Sequence, residues 1–309
     1  MGINASSAEF LLHSRSSGIS FRNMVTLGRQ NLSVDDRKMK RLLNQYGIAD
    51  LNDVSDIDNA FGHDLPHPAD SFFKALGAAR IDSIDADAYQ ASSIVHDMNL
   101  PIPAKLHKQY DCVVDGGTLE HIFAFPTAIR NCMEMVKVGG HLILMTPANN
   151  FFGHGFYQFS PELFFRILSP ENGFCLERMF AVETENVSYK AKGKICYYER
   201  SSRPYNVLDP AVTGKRGLLQ NDKMVLLYIQ AKRQTDVPFF AKAPQQSDYV
   251  SQWHESRRGM RAQSTPTFEP FWRKALDSSR NYLKEALPPY FRLRYYQRSA
   301  SFRNSDTFR

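Results

Sequence analysis

From Tyr110 to Pro147 the chain reads YDCVVDGG, then TLEHIFAFPTAIRNCMEMVKV, then GG, then HLILMTP. An apolar run ending on Asp115-Gly116-Gly117, apolar residues at helical spacing, a glycine pair and a second apolar run are the parts of a strand–helix–strand crossover. Pro126 places a break inside the helical stretch, and Gly139-Gly140 end it. Such a crossover joins parallel strands, and parallel strands need helices over both faces of their sheet. This one unit commits the chain to an α/β architecture.

The flanking sequence repeats the theme. FRNMVTLGR reads as a strand entering a turn at Gly28. Ser33 can then cap a helix with Asp35 and Asp36 in its first turn and Met39, Leu42, Leu43 and Tyr46 on one face. Residues 48–67 hold no sustained period and read as a loop or partial helix, followed by a short helix in ADSFFKALG. SPELFFRIL reads as a helix capped by Ser160, with Pro161 in its first turn. Strands are expected at 20–28, 79–86, 92–98, 110–116, 141–147, 174–184 and 223–232. The last two have no helix between them, which suits an antiparallel pair at one edge. The organisation expected is an N-terminal segment (1–18), an α/β domain (19–232) with a polar insertion at about 185–222, and a C-terminal extension (233–309).

The charge is divided along these lines. Residues 231–309 carry 15 Lys/Arg against 7 Asp/Glu, whereas residues 1–230 carry 23 against 25. The basicity therefore belongs to the extension, where an amphipathic helix is expected in FWRKALDSSRNYLKEAL and aromatics alternate with arginines after it. That extension can bind nucleic acid, lie on an anionic membrane surface, or pack on the core or a second copy of the chain as a homodimer; packing is the preferred reading. Cys112, Cys132, Cys175 and Cys196 are far apart with no C-x-x-C pair, which suits reduced thiols in a cytoplasmic protein. Apolar runs such as Leu142–Met145 fall far short of the roughly 18–20 residues that span a bilayer.

In open α/β sheets ligands bind beyond the carboxyl ends of the strands. The polar residues at those ends here are Gly28-Arg29-Gln30, Asp85-Ala86, Asp97-Met98-Asn99, Asp115-Gly116-Gly117 and Thr146–Asn149. An acid at the end of the second strand can accept from both hydroxyls of a ribose, and Asp97 can take an adenine amino proton. GHDLPHP has a histidine spacing that could hold a metal but lacks further ligands, so a solvated loop is expected there and no metal.

The run YDCVVDGGTLEHI…GGHLILMTP resembles the second half of the class I S-adenosylmethionine-dependent methyltransferases. It does so through Asp111, Leu119-Glu120-His121-Ile122, Gly139-Gly140 and the strand His141–Pro147. The resemblance implies a Rossmann-like, seven-stranded sheet, mostly parallel with the last strand antiparallel. It implies S-adenosyl-L-methionine as cofactor, with Gly28, Arg29 and Gln30 in the first loop, Asp85 and Ala86 at the ribose, Asp97 and Met98 at the adenine, and Asp115, Gly116 and Gly117 beside the methionine part. The first loop has one glycine where the family has more, and Asp87–Ala91 is too short for the helix the family places there.

Methyl transfer asks a protein mainly to align nucleophile, methyl and sulfur and to exclude water. An oxygen or nitrogen acceptor can also need a base, and histidine suits that near neutral pH. His154, in the loop NNFFGHGFYQFSPE, is the first candidate base, with His121 and Glu120 beside it. The expected acceptor is a small molecule or glycan. Alternatives are a catalytically inactive scaffold of the same fold, suggested by the sparse first loop, and an RNA methyltransferase using the basic extension.

Overall fold

The computed structural model describes residues 2–48, 67–88, 91–191, 194–214, 216–250 and 302–304. Their strands are β1 (Asn23–Leu27), β2 (Asn31–Leu32), β3 (His67–Pro68), β4 (Arg80–Asp85), β5 (Ile94–Val95) and β6 (Tyr110–Asp115), then β7 (Val136–Asn149), β8 (Phe174–Ala191), β9 (Lys194–Val207), β10 (Met224–Arg233) and β11 (Phe302–Asn304). Nine of them form one sheet in the order β5-β4-β1-β6-β7-β10-β8-β9-β11. The ladder from β5 to β7 is parallel, and β10 enters antiparallel between β7 and β8. Its first seven strands form a mostly parallel, Rossmann-like sheet in which β10 alone runs antiparallel.

Helices α1 (Ala5–Ser16), α2 (Asp36–Gln45) and α3 (Asp70–Ala75) cover one face. Helices α4 (Phe125–Met135) and α5 (Pro161–Ile167) cover the other; α6 (Pro210–Thr213) is a short surface turn. Two cores result. Phe10, Met24, Phe72 and Tyr228 lie in one, and Leu27, Val113, Ile129 and Phe164 in the other. Burial on both faces explains why β10 reads as an unbroken apolar run from Val225 to Ile229 rather than as an alternation.

Several local features differ from the sequence reading. The cap of α2 is Asp35, whose Oδ1 accepts from the Lys38 amide at 2.9 Å, not Ser33. Leu119–His121 is a single 3-10 turn, and Pro126 begins α4 instead of interrupting it, because a missing N–H is harmless in a first turn. Gly139-Gly140 lie within β7. A Cβ on Gly140 would meet the Asp111 carbonyl oxygen at 2.8 Å, so the glycine allows β7 to pass close to β6.

Of the expected strand 92–98, only Ile94–Val95 joins the ladder. The segment read as a polar insertion continues β8 to Ala191 and returns as β9 in a long antiparallel hairpin. Residues 5–16 form a helix docked through Phe10, whose ring is 5.4 Å from Tyr228, and Ser6 Oγ lies 2.7 Å from the Tyr228 hydroxyl. No helix among the described residues is long and apolar enough to cross a membrane. The helix expected in FWRKALDSSRNYLKEAL, and His63 and Asp64 of GHDLPHP, lie outside the described residues.

Candidate active site at the carboxyl ends of the parallel strands

The strand order reverses between β1 and β6, and the polar residues at their carboxyl ends meet there. Gly28 has φ +65° and donates its N–H to the Ile84 carbonyl at 2.7 Å, tying the end of β1 to the end of β4. A side chain at that φ would be strained. It would also bring a Cβ within 3.3 Å of Thr118 Oγ1 and 3.8 Å of Asp85 Oδ2. The Asp85 carboxylate thus faces the first loop, with Oδ1 taking its neighbour Ala86's amide at 2.7 Å.

Gln30 is buried and lies across the crevice. Its Nε2 donates to the Leu27 carbonyl at 2.6 Å. Its Oε1 has no hydrogen-bond partner and sits 2.2 Å from where a Cβ on Gly116 would be, so Gly116 is what makes room for this side chain. Thr118 Oγ1 shares the same carbonyl at 3.0 Å. Thr118 is the site residue that sequence reasoning missed; its only signal is a hydroxyl directly after the strand-end Gly-Gly.

Asp115 is fully buried. Its Oδ1 accepts from the Thr118 amide at 2.8 Å while Oδ2 is unpartnered. Burial pushes this carboxyl up to about 6, against the opposing pull of backbone amides led by Thr118.

Beyond it, the 3-10 turn carries Glu120 inward with no exposed surface. Neither carboxylate oxygen receives a hydrogen bond. Burial, and next the Asp115 charge, push Glu120 up to about 8. His154 Nε2 lies 3.5 Å and His121 Nε2 3.7 Å from Glu120 Oε1, with the two rings 5.0 Å apart. Burial lowers both imidazoles below their ordinary value, His154 also through the charge of His121. Both rings are therefore largely unprotonated at neutral pH, with a lone pair to offer.

The His154 loop is held on this turn by its backbone. The amides of Phe156 and Tyr157 donate to the Glu120 carbonyl at 2.8 and 3.2 Å, and a Cβ on Gly155 would meet that oxygen at 2.8 Å. Tyr157 and Gln158 organise the loop by bonding the Phe123 carbonyl and the Phe151 amide. Phe152 and Phe156 stand out from it and Phe123 from the segment before α4, 99%, 68% and 72% exposed.

The structure gathers Gly28, Gln30, Asp85 and Gly116 with Thr118, and separately Glu120, His121 and His154. Three other expected residues are engaged in contacts of their own. Arg29 pairs with Asp70 at 3.6 Å on the α3 side of the loop. Met98 is buried in the core with its sulfur 3.9 Å from Asn131 Nδ2, which leaves only its backbone for a ligand. Asp97 Oδ1 holds a turn by accepting from the Asn99 amide and side chain at 2.9 and 2.8 Å, and these bonds keep its carboxyl below the usual range.

The chain matches no family model and no curated protein. Among solved structures it is similar to a methyltransferase from Bacillus halodurans, at 10% identity over 74% of this chain and 100% of that one, TM-score 0.35. It is also similar to the N-methyltransferase NodS from Bradyrhizobium japonicum, at 14% identity over 74% and 94%, TM-score 0.32. A third is the cyclase SpnF, at 14% identity over 74% and 80%, TM-score 0.35. Activity does not pass between proteins at such identities; it has to be argued from the site.

Proposed function

We propose that this chain is an S-adenosylmethionine-dependent methyltransferase acting on an oxygen or nitrogen of a small molecule or glycan. The observation that carries this reading is the convergence of Gly28, Asp85 and Asp115 where the strand order reverses, with Glu120 and His121 on the turn that follows and His154 brought to them by the loop after β7. The donor set fits the cofactor. Asp85 offers a carboxylate to a ribose diol, and Asp115 Oδ2 is a buried acceptor lacking a donor, which the ammonium of the methionine part would supply. Gly116 and Gly117 leave backbone at that end for close approach, once the Gln30 side chain turns aside.

When bound, the cofactor supplies an electrophilic methyl on a sulfonium. The chain's own contribution is alignment and proton transfer. His154 Nε2, kept unprotonated by burial, takes the proton of the acceptor, with Glu120 Oε1 3.5 Å away to accept from the ring once it is protonated. Phe123, Phe152 and Phe156 give an acceptor ring or sugar face an aromatic surface to pack on.

Calorimetry with S-adenosylhomocysteine tests the reading, and absence of heat at high protein concentration would sink it. Asp85→Ala is expected to weaken that binding by about 1–3 kcal/mol, the scale for hydrogen bonds to a charged group. Unchanged affinity would mean that the ribose acid lies elsewhere.

One observation favours a second reading, a cofactor-free scaffold: the Gln30 side chain already fills the space against Gly116. Gln30→Gly separates the two. A working enzyme has to displace this side chain, so the variant is expected to bind S-adenosylhomocysteine up to about tenfold more tightly, the scale of ordering costs for one long side chain. Binding by neither wild type nor variant would favour the scaffold.

A further inference from the structure

We propose that Glu120, His121 and His154 form a binding site for a single divalent transition-metal ion, of which Zn2+ is the best match. One ligand atom from each residue lies within 4.8 Å of the others. The two measured separations, 3.5 and 3.7 Å from Glu120 Oε1 to the histidine Nε2 atoms, compare with about 3.3 Å between ligands bound to tetrahedral zinc at ~2.0–2.1 Å. The third separation, between the two histidine nitrogens, lies within 4.8 Å, so rotation of the two rings closes the set.

The second observation is Glu120 itself. It has no exposed surface and no hydrogen bond to either oxygen, beside two histidines that present nitrogens to it. A carboxyl in that position is costly as an anion and wasted as a neutral acid. A cation among the three ligands removes the conflict. Two imidazoles and one carboxylate suit zinc or its neighbours in the first transition row better than magnesium or calcium, which prefer all-oxygen shells.

The histidine side chains are 45% and 32% exposed, so the ion's remaining positions open toward solvent rather than the core. Three protein ligands and an open position are the pattern of catalytic rather than structural zinc. On the methyltransferase reading, a bound ion would occupy the His154 nitrogen, so an acceptor hydroxyl entering the open position would be made more acidic by the ion and release its proton to solvent water, in place of transfer to His154. Metal binding itself does not depend on that reading.

The test uses the full chain stripped with a chelator, dialysed, and titrated with Zn2+ and separately with Co2+. The expected result is one ion per chain, with visible ligand-field absorption for Co2+, and a thermal midpoint raised by Zn2+. Glu120→Gln and His154→Ala are each expected to weaken uptake at least tenfold and abolish the Zn2+-dependent thermal shift. His107→Ala, which removes another histidine beside a glutamate (His107 to Glu134, 3.4 Å), is expected to leave uptake unchanged. No stoichiometric uptake, or uptake equally affected in all three variants or in none, overturns the proposal. Should a variant fail to fold, the wild-type stoichiometry and Co2+ spectrum still decide. Calorimetry of the metal-free chain with S-adenosylhomocysteine keeps the two readings apart: cofactor binding without metal uptake overturns only the metal site, and metal uptake without cofactor binding overturns only the methyltransferase.

Discussion

In the His154→Ala variant turnover falls by about two to four orders of magnitude, the contribution typical of a positioned acid–base group, while affinity for S-adenosylhomocysteine changes little. The split follows from position. His154 is brought to Glu120 by a loop pinned to the Glu120 carbonyl, whereas Gly28, Gln30 and Asp85 belong to the ends of β1 and β4. Single-turnover methylation beside calorimetry measures both quantities on one preparation. Equal losses in the two would assign His154 to binding. Added imidazole restores turnover where the ring acts as a base; where it acts as a metal ligand, the loss follows the loss of the ion.

The second large effect concerns stability in acid. His13 is on the buried side of α1, 9% exposed, with Nε2 unpartnered. Burial, and next the charge of Arg178, push it down to about 4. Between that value and the 6.5 of an unfolded histidine, the unfolded chain binds the proton and the folded chain does not, so stability rises with pH through this window and is lost as pH falls. The loss amounts to at most about 3 kcal/mol. Denaturant unfolding of wild type and His13→Leu at pH 7 and pH 4 is expected to show the variant gaining on wild type by up to that amount in acid. Parallel pH profiles would show that another group carries the acid sensitivity.

α1 also marks where sequence reading stops. Its buried residues include Ser6, Ser7, His13 and Ser14 beside Phe10, Leu11 and Leu12, so no apolar stripe stands out. The serines are satisfied by partners far along the chain: Ser6 by Tyr228 and Ser14 by Gln230. No local pattern encodes that. The β8–β9 hairpin was hidden for a related reason, since much of its length is polar and its regularity lies in cross-strand pairing.

The parallel core was legible because burial on both faces forces long apolar runs, and because a crossover needs glycine, proline and helical periodicity at set places. Those constraints are local in the chain. The strand ends that carry Gly28, Asp85 and Asp115 were legible with it, and so were Glu120, His121 and His154 as separate candidates.

Their relations were not. That Gln30 lies on Gly116, that Arg29 turns to Asp70 and Met98 to the core, and that two histidines 33 positions apart meet at one buried carboxylate depend on side-chain directions and loop paths. The sequence by itself determined the α/β sheet and the strand ends where polar residues collect, because backbone hydrogen bonding and burial act through local pattern. Only the tertiary structure decided which of those residues share a site, because contacts between distant segments are set by packing across the sheet.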